Sequence, residues 1–423
     1  MGEYCFNSKG DSHVKEHMDL ANKVVLERIK GVRSIILYGG FGRGEGSGRF
    51  IHDKFFPAND YDVYVITDEK IDDDYIEDVA KEVASRWGKK GIILEMFDKN
   101  QTLGDNFYYD FKCLTVEQLK KLFPMLRYYE LRNASTIVWG EDLRYLIPNY
   151  KVEDIPLAEG ARILLNRMTH MIEYISLDGK HDPEMLKYFV AKVYIDACTA
   201  LLILSEKYAP TYFKRMQIFK ETYKKDFSEL YEVIPYFADR VSEATLWKLD
   251  LDKEINLSDI EYWHQAREDM LEVSKYFFSK FTGKNILNID DLSNAIQNMN
   301  KNYYEPYGYW FLKLRGLNNK IIPKLMRVTL PYYFKYKFFK RVKNQLKENY
   351  FKMLYSSSGP DLIIFSAMPF VLFSLKEDSV DKEMLMKGKE VLSKVYPVKG
   401  NDWESISQDY ANAYVAFFLQ KIV

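Results

Sequence analysis

Two aspartates two residues apart, Asp60 and Asp62, stand in an otherwise mostly apolar run, "NDYDVYV". In an extended strand, residues i and i+2 project from one face, so this spacing sets two carboxylates side by side. Like charges repel, and a carboxylate loses hydration on burial, so such a pair on a packed face needs a cation. Carboxylate oxygens suit Mg2+, which keeps substrate phosphates in its coordination shell. Two such ions about 4 Å apart can activate an attacking hydroxyl and stabilise a leaving pyrophosphate.

Just upstream, "ILYGGFGRGEGSGRF" (Ile36–Phe50) holds Gly39, Gly40, Gly42, Gly44, Gly46 and Gly48, six of the 21 glycines in the chain. Ordered glycine costs backbone entropy, so its concentration after an apolar run points to backbone approaching a phosphate. The familiar phosphate loops fail on spacing. Gly39 and Gly44 are separated as in a Walker A loop, but Glu45 stands where its lysine must be. The dinucleotide pattern meets Glu45 when started at Gly40 and Ser47 when started at Gly42, and no kinase HRD or DFG follows. "HVKEH" (His13–His17) has the spacing of inverted zinc peptidases. It offers no identifiable third ligand, and its helix has a simpler use in packing beside the first strand.

The elements that must position these residues are legible in outline. A helix is expected over 12–30, ended by Gly31. "VRSIILY", "YDVYVIT" and "GIILEMFD" read as strands, with the amphipathic helix "DDDYIEDVAKEVASRWG" before the third. From about Ile155 helical periods dominate to the end. The predicted fold class is therefore α+β: a small mixed sheet followed by a mostly α-helical region. The expected divisions are 1–150, a helical bundle over 151–290, and a helical, basic-aromatic region over 291–423.

"YGG" followed by "DYDVYV" resembles the signature of the DNA polymerase beta-like nucleotidyltransferase superfamily, and "GGFGRGEGS" resembles the turn of its small-molecule and minimal branches. The resemblance covers roughly residues 20–150 and extends to the layout, since a helical second domain is common in those branches. It implies that Gly39, Gly40 and Gly42 line a nucleotide-binding turn, with Arg43 close to the β- and γ-phosphates. Asp60 and Asp62 would hold two Mg2+ ions. A third carboxylate from a neighbouring strand would be Glu95 in "IILEMF", with Asp98 as the alternative, acting as metal ligand, general base or both. The implied reaction moves NMP from an NTP, ATP among them, to an acceptor and releases pyrophosphate. Two departures stand out. Gly40 replaces a serine common at that position, and "RFIHDKFFPAN" lengthens the path to Asp60.

Composition narrows the acceptor. The chain has 423 residues, a net charge of −1 and 16% aromatics. A protein that coats duplex nucleic acid would usually be more basic. Residues 1–150 carry 21 basic and 25 acidic side chains, so the first part lacks a basic channel. A small-molecule or sugar-type acceptor is the expectation. Residues 301–350 break the pattern, with twelve Lys and Arg against two Glu, and thirteen aromatics. That composition suits an anionic surface, either membrane headgroups or nucleic acid. Two other classes stay open: an enzyme adding nucleotides to nucleic-acid ends through that segment, and a non-catalytic, antitoxin-like binding module. Three well-separated cysteines and the lack of a signal-like N-terminus fit the cytoplasm, with peripheral membrane contact an option. The longest apolar stretch, "LIIFSAMPFVLFSL", is too short to span a bilayer.

Overall fold

The computed structural model describes residues 2–51, 54–88, 109–177, 179–317, 319–342 and 350–419. The expected strand "GIILEMFD", with Glu95 and Asp98, lies outside them. The N-terminal part runs α1 (Asp11–Arg28), β1 (Val32–Tyr38), the four-residue helical turn α2 (Gly39–Gly42), β2 (Gly48–Ile51), β3 (Lys54–Pro57), β4 (Tyr61–Thr67) and α3 (Asp73–Arg86). It continues with β5 (Tyr109–Thr115), α4 (Val116–Leu119), α5 (Leu126–Asn133) and β6 (Thr136–Gly140).

Four of these strands form one sheet in the order β5-β4-β1-β6, with β4 parallel to β5 and antiparallel pairs elsewhere. Strand alternation sorts its side chains into two layers. Ile35, Leu37, Tyr61, Val63, Val65, Tyr109 and Phe111 pack with α1 and α3. Ile36, Tyr38, Tyr64 and Ile66 pack on the other side with Leu119, Leu122 and Leu131. Asp62 and Asp110 share the parity of this second face. At the inserted stretch, β2 and β3 pair antiparallel, with Arg49 opposite Phe56 and Phe50 opposite Phe55.

The helical part comprises α6 (Leu157–Glu173), α7 (Pro183–Leu204), α8 (Tyr212–Asp226), α9 (Ser228–Val233), α10 (Phe237–Leu249), α11 (Asp259–Thr282), α12 (Ile289–Gln297), α13 (Asn300–Lys313), α14 (Ile321–Val342), α15 (Tyr350–Tyr355), α16 (Pro360–Ser374), α17 (Lys382–Leu392) and α18 (Trp403–Tyr414). The architecture is thus a small mixed sheet followed by a mostly helical region, as the sequence predicts. One hydrophobic cluster runs through the helices from Ala158 to Phe417. Helix α16, the most apolar segment, is buried along its whole length within it. Among the described residues no helix is long and apolar enough to cross a membrane.

Asp361 begins α16 inside this core, 3% exposed, and the Tyr304 hydroxyl of α13 lies 2.7 and 2.6 Å from its two carboxylate oxygens. Burial pushes its carboxyl up to about 6, against the hydrogen bond from Tyr304, which lowers it. The folded state therefore holds this proton more tightly than the unfolded chain does. The associated stabilisation is complete below the unfolded carboxylate pKa and is lost as pH rises through 6. Urea titrations of the parent should lose on the order of 3 kcal/mol between pH 4 and 7 from this group. Asp361→Asn should remove that loss; an unchanged slope in the variant would contradict it.

Candidate active site

The site grows from the junction of β1, β4 and β5. Asp62 is paired across the sheet with Tyr38 of β1 on one side and with Asp110 of β5 on the other. Asp60 lies two residues before Asp62 and shares its parity. The carboxylates of Asp60, Asp62 and Asp110 converge, with a ligand atom from each within 4.8 Å of the others, and all three are half-buried. Among the described residues no other group of three or more His, Cys, Asp or Glu side chains does this.

Their mutual repulsion is visible in Asp62. Burial, then Asp60, then Asp110, raise its carboxyl well above the usual range; Lys112 and Arg43 offset this only in part. Lys112 follows Asp110 by two residues on the same strand face, and its Nζ lies 2.5 Å from Asp110 Oδ2 and 3.2 Å from the Tyr38 hydroxyl. Three converging acidic oxygen donors are the donor set of a hard divalent ion.

The glycine turn is built against these carboxylates. Gly39 has φ +66°, and a Cβ there would stand 2.1 Å from Asp62 Oδ2. Both facts demand glycine: the conformation is left-handed, and the carboxylate occupies the side-chain position. Gly42 is held by packing, since a Cβ would stand 2.2 Å from the Leu37 carbonyl oxygen. Gly40 is different. A Cβ there meets nothing closer than 3.6 Å, so this position has room for the serine of the resembled pattern.

Arg43 turns inward. Its guanidinium is buried, donates to Glu130 at 2.5 Å and to Glu45 at 3.3 Å, and lies over the Tyr212 ring at 4.4 Å. Burial alone would lower its pKa, but Glu130, Tyr212 and Glu45 hold the charge in place. Glu45, fully buried, accepts the backbone N–H groups of Tyr212 and Phe213 at 2.7 Å each, at the start of α8. A carboxylate there satisfies orphan donors and complements the helix dipole. Glu130 of α5 also accepts from Arg215 of α8 and from the Tyr208 hydroxyl. Buried charges thus fasten the glycine turn to the helical part.

The helices bring two amines near, Lys192 toward the carboxylates and Lys248 toward the glycine turn. Lys192 of α7 lies within electrostatic reach of Asp60 and Asp62, and burial, then Arg167, lower its amine to about 8 against the pull of those aspartates. Lys248 of α10 donates to the Glu45 carbonyl at 3.3 Å; burial lowers its amine to about 7, opposed by Glu45. Arg167 of α6 donates to Asp196 of α7 at 2.8 and 2.6 Å.

The structure therefore brings Gly39, Gly40, Asp60 and Asp62 together and places Arg43 behind them; Glu95 lies outside the described residues. Sequence reading missed Asp110, Lys112, Lys192 and Lys248. For Asp110 a signal existed: "YDF" on β5 repeats the aromatic–Asp–apolar pattern of "YDV" on β4, and the two align in register. The histidines of "HVKEH" are taken up by packing: His17 Nδ1 lies 2.8 Å from the Tyr61 hydroxyl, and the His13 ring is edge-on to Phe50.

No known family's sequence profile matches the chain, and no curated protein matches it. Among solved structures it is similar to the spectinomycin adenyltransferase AAD(9) from Enterococcus faecialis, crystallised with ATP and spectinomycin. That likeness has 12% identity and a TM-score of 0.36, covering 62% of this chain and 99% of the other. A likeness of this degree decides neither fold nor activity.

The two glycines separate structural demand from tolerance. Gly39→Ala should cost roughly 1–3 kcal/mol for the left-handed backbone and displace the Asp62 carboxylate. Gly40→Ala should stay within about 1 kcal/mol of the parent in urea denaturation. Equal stabilities for the two variants would contradict the close approach of Asp62 to Gly39.

Proposed function

We propose that the chain is a Mg2+-dependent nucleotidyltransferase that moves NMP from an NTP to a hydroxyl-bearing small-molecule or sugar-type acceptor. The observation that carries this reading is the convergence of Asp60, Asp62 and Asp110 beside the Gly39 turn, with Lys192 of the helical part within electrostatic reach. Clustered carboxylates with an amine nearby suit a polyphosphate that arrives with its own divalent charge.

Asp60, Asp62 and Asp110 would hold the metal ions. Bound there, a divalent cation supplies the positive charge that offsets charge developing on the transferred phosphoryl group. The protein's own contribution is positional. The turn at Gly39 and Gly40 lets backbone come close to the triphosphate, and Gly42 and the buried Arg43 ion pairs hold that turn in shape. Lys192 and Lys248 offer ammonium groups to phosphate oxygens. An anion beside them would favour their charged forms, reversing the depression that burial imposes. Asp110, on the strand beside Asp62, would take the place that the resemblance gives Glu95, a third carboxylate acting as metal ligand, general base or both. The acceptor would enter between the sheet face carrying Asp62 and Asp110 and the helices after residue 155. The acidic balance of residues 1–150 favours a compact acceptor over a nucleic-acid strand.

Pyrophosphate release with each NTP, Mg2+ and a panel of hydroxyl-bearing acceptors tests this reading. The parent should turn over with at least one pair. Asp60→Ala, Asp62→Ala and Asp110→Ala should each lower the rate by roughly 100-fold or more. Nucleotide binding without release across the panel would make the chain a binding module, and equal rates in parent and variants would remove the enzymatic assignment.

A further inference from the structure

The hairpin of α13 and α14 carries a surface that the proposed chemistry leaves unused. Between Tyr309 and Val342 the sequence has nine Lys and Arg and no Asp or Glu. The whole chain carries −1, so everything outside this segment sums to −10. The positive charge is therefore a local device rather than a property of the protein.

The same segment exposes apolar side chains out of proportion to its length. Of 23 exposed large hydrophobic residues among those described, ten fall between Tyr309 and Tyr336. On α14 the most exposed of them recur at helical spacing: Ile321 at 66%, Leu325 at 53%, Val328 at 51%, Tyr332 at 53% and Tyr336 at 63%. Intervals of four, three, four and four residues place them along one stripe of the helix. A separate set, Pro323, Pro331, Phe338 and Val342, is buried and holds the helix to the body. Lys335 is also turned inward, toward the carbonyls of Leu354 and Ser356. Lys313, Lys320, Lys324 and Lys340 are exposed around the stripe.

We infer that this hairpin docks on an anionic lipid bilayer, with α14 lying in the plane of the headgroups. A helix of 22 residues is about 33 Å long, enough for an in-plane anchor of several turns. Charge complementarity selects an anionic partner, and the aliphatic side chains select lipid over nucleic acid. Bases stack on aromatic rings and are drawn to cations, but isoleucine, leucine and valine gain nothing from a hydrated strand. Those three residue types, flanked by tyrosines and lysines, match the acyl–headgroup boundary. The negative remainder of the chain is repelled by the same surface, which orients the molecule with the hairpin down.

Two variants of the full chain separate the contributions. Ile321→Ser/Leu325→Ser/Val328→Ser removes the aliphatic stripe without changing charge, at positions that lie outside the core. Lys320→Glu/Lys324→Glu/Lys340→Glu reverses charge and keeps the stripe. In sedimentation with vesicles, the parent should bind phosphatidylglycerol-containing bilayers at least ~10-fold more tightly than pure phosphatidylcholine. Both variants should lose that binding by a similar factor while keeping the parent's circular dichroism. Failure of the parent to bind anionic vesicles would overturn the inference. So would binding to single-stranded RNA tighter than to vesicles and indifferent to the serine substitutions, which would make the surface a nucleic-acid site.

Discussion

Three carboxylates held at the end of one sheet impose the governing constraint on this protein. The register of parallel β4 and β5 sets Asp62 opposite Asp110, and Asp60, just before β4, converges with them, a ligand atom from each lying within 4.8 Å of the others. That arrangement is electrostatically unfavourable, and its surroundings read as responses to it. Lys112 is drawn onto Asp110, Arg43 stands close behind, and Lys192 reaches in from the helices. Burial first, and then the neighbouring aspartates, still drive the Asp62 carboxyl well upward. A fold built only for stability gains nothing from gathering like charges on one face. A fold built to capture divalent cations and a polyphosphate needs both the acidic cluster and amines nearby.

A second consequence concerns how the two parts of the chain are joined. Had the glycine turn been a loose surface loop, the Gly39–Asp62 contact would vary with its motion. Instead Glu45 seats the turn on the first N–H groups of α8, and Arg43, Glu130 and Arg215 form a chain of buried charges behind it. Removing one member of such a network leaves another buried charge unpaired, which costs more than the pair contributes. The network therefore seats the turn against α8, and Lys248 joins it through the Glu45 carbonyl. Catalytic or binding geometry assembled from two parts of a chain depends on a junction of this kind.

What the sequence made legible was local. The glycine run followed by the i, i+2 aspartates could be read because both signals lie within 24 residues and each has a backbone reason. The helix–strand order and the switch to helical periods near Ile155 were readable for the same reason. Asp110 was missed because reading along the chain placed a third strand at the more apolar "GIILEMFD" and none at the later "YDFKCLT", which pairs parallel with β4. Only strand pairing, a long-range fact, gives Asp110 its place. Arg43 was expected beside phosphates on the resemblance alone. Its burial follows from Glu130 and Tyr212, residues that nothing in the local sequence ties to it. Lys192 and Lys248 lie on helices whose apolar periodicity hides a single inward amine.

The account rests on the acidic cluster being a cation site. The most direct measurement is Mn2+ titration followed by electron paramagnetic resonance, with and without a non-hydrolysable ATP analogue. The parent should bind Mn2+ with a stoichiometry that rises toward two when the nucleotide is present, and Asp62→Asn with Asp110→Asn should abolish the signal of bound metal. Mn2+ binding that is absent, or that survives in the doubly substituted protein, would contradict the account.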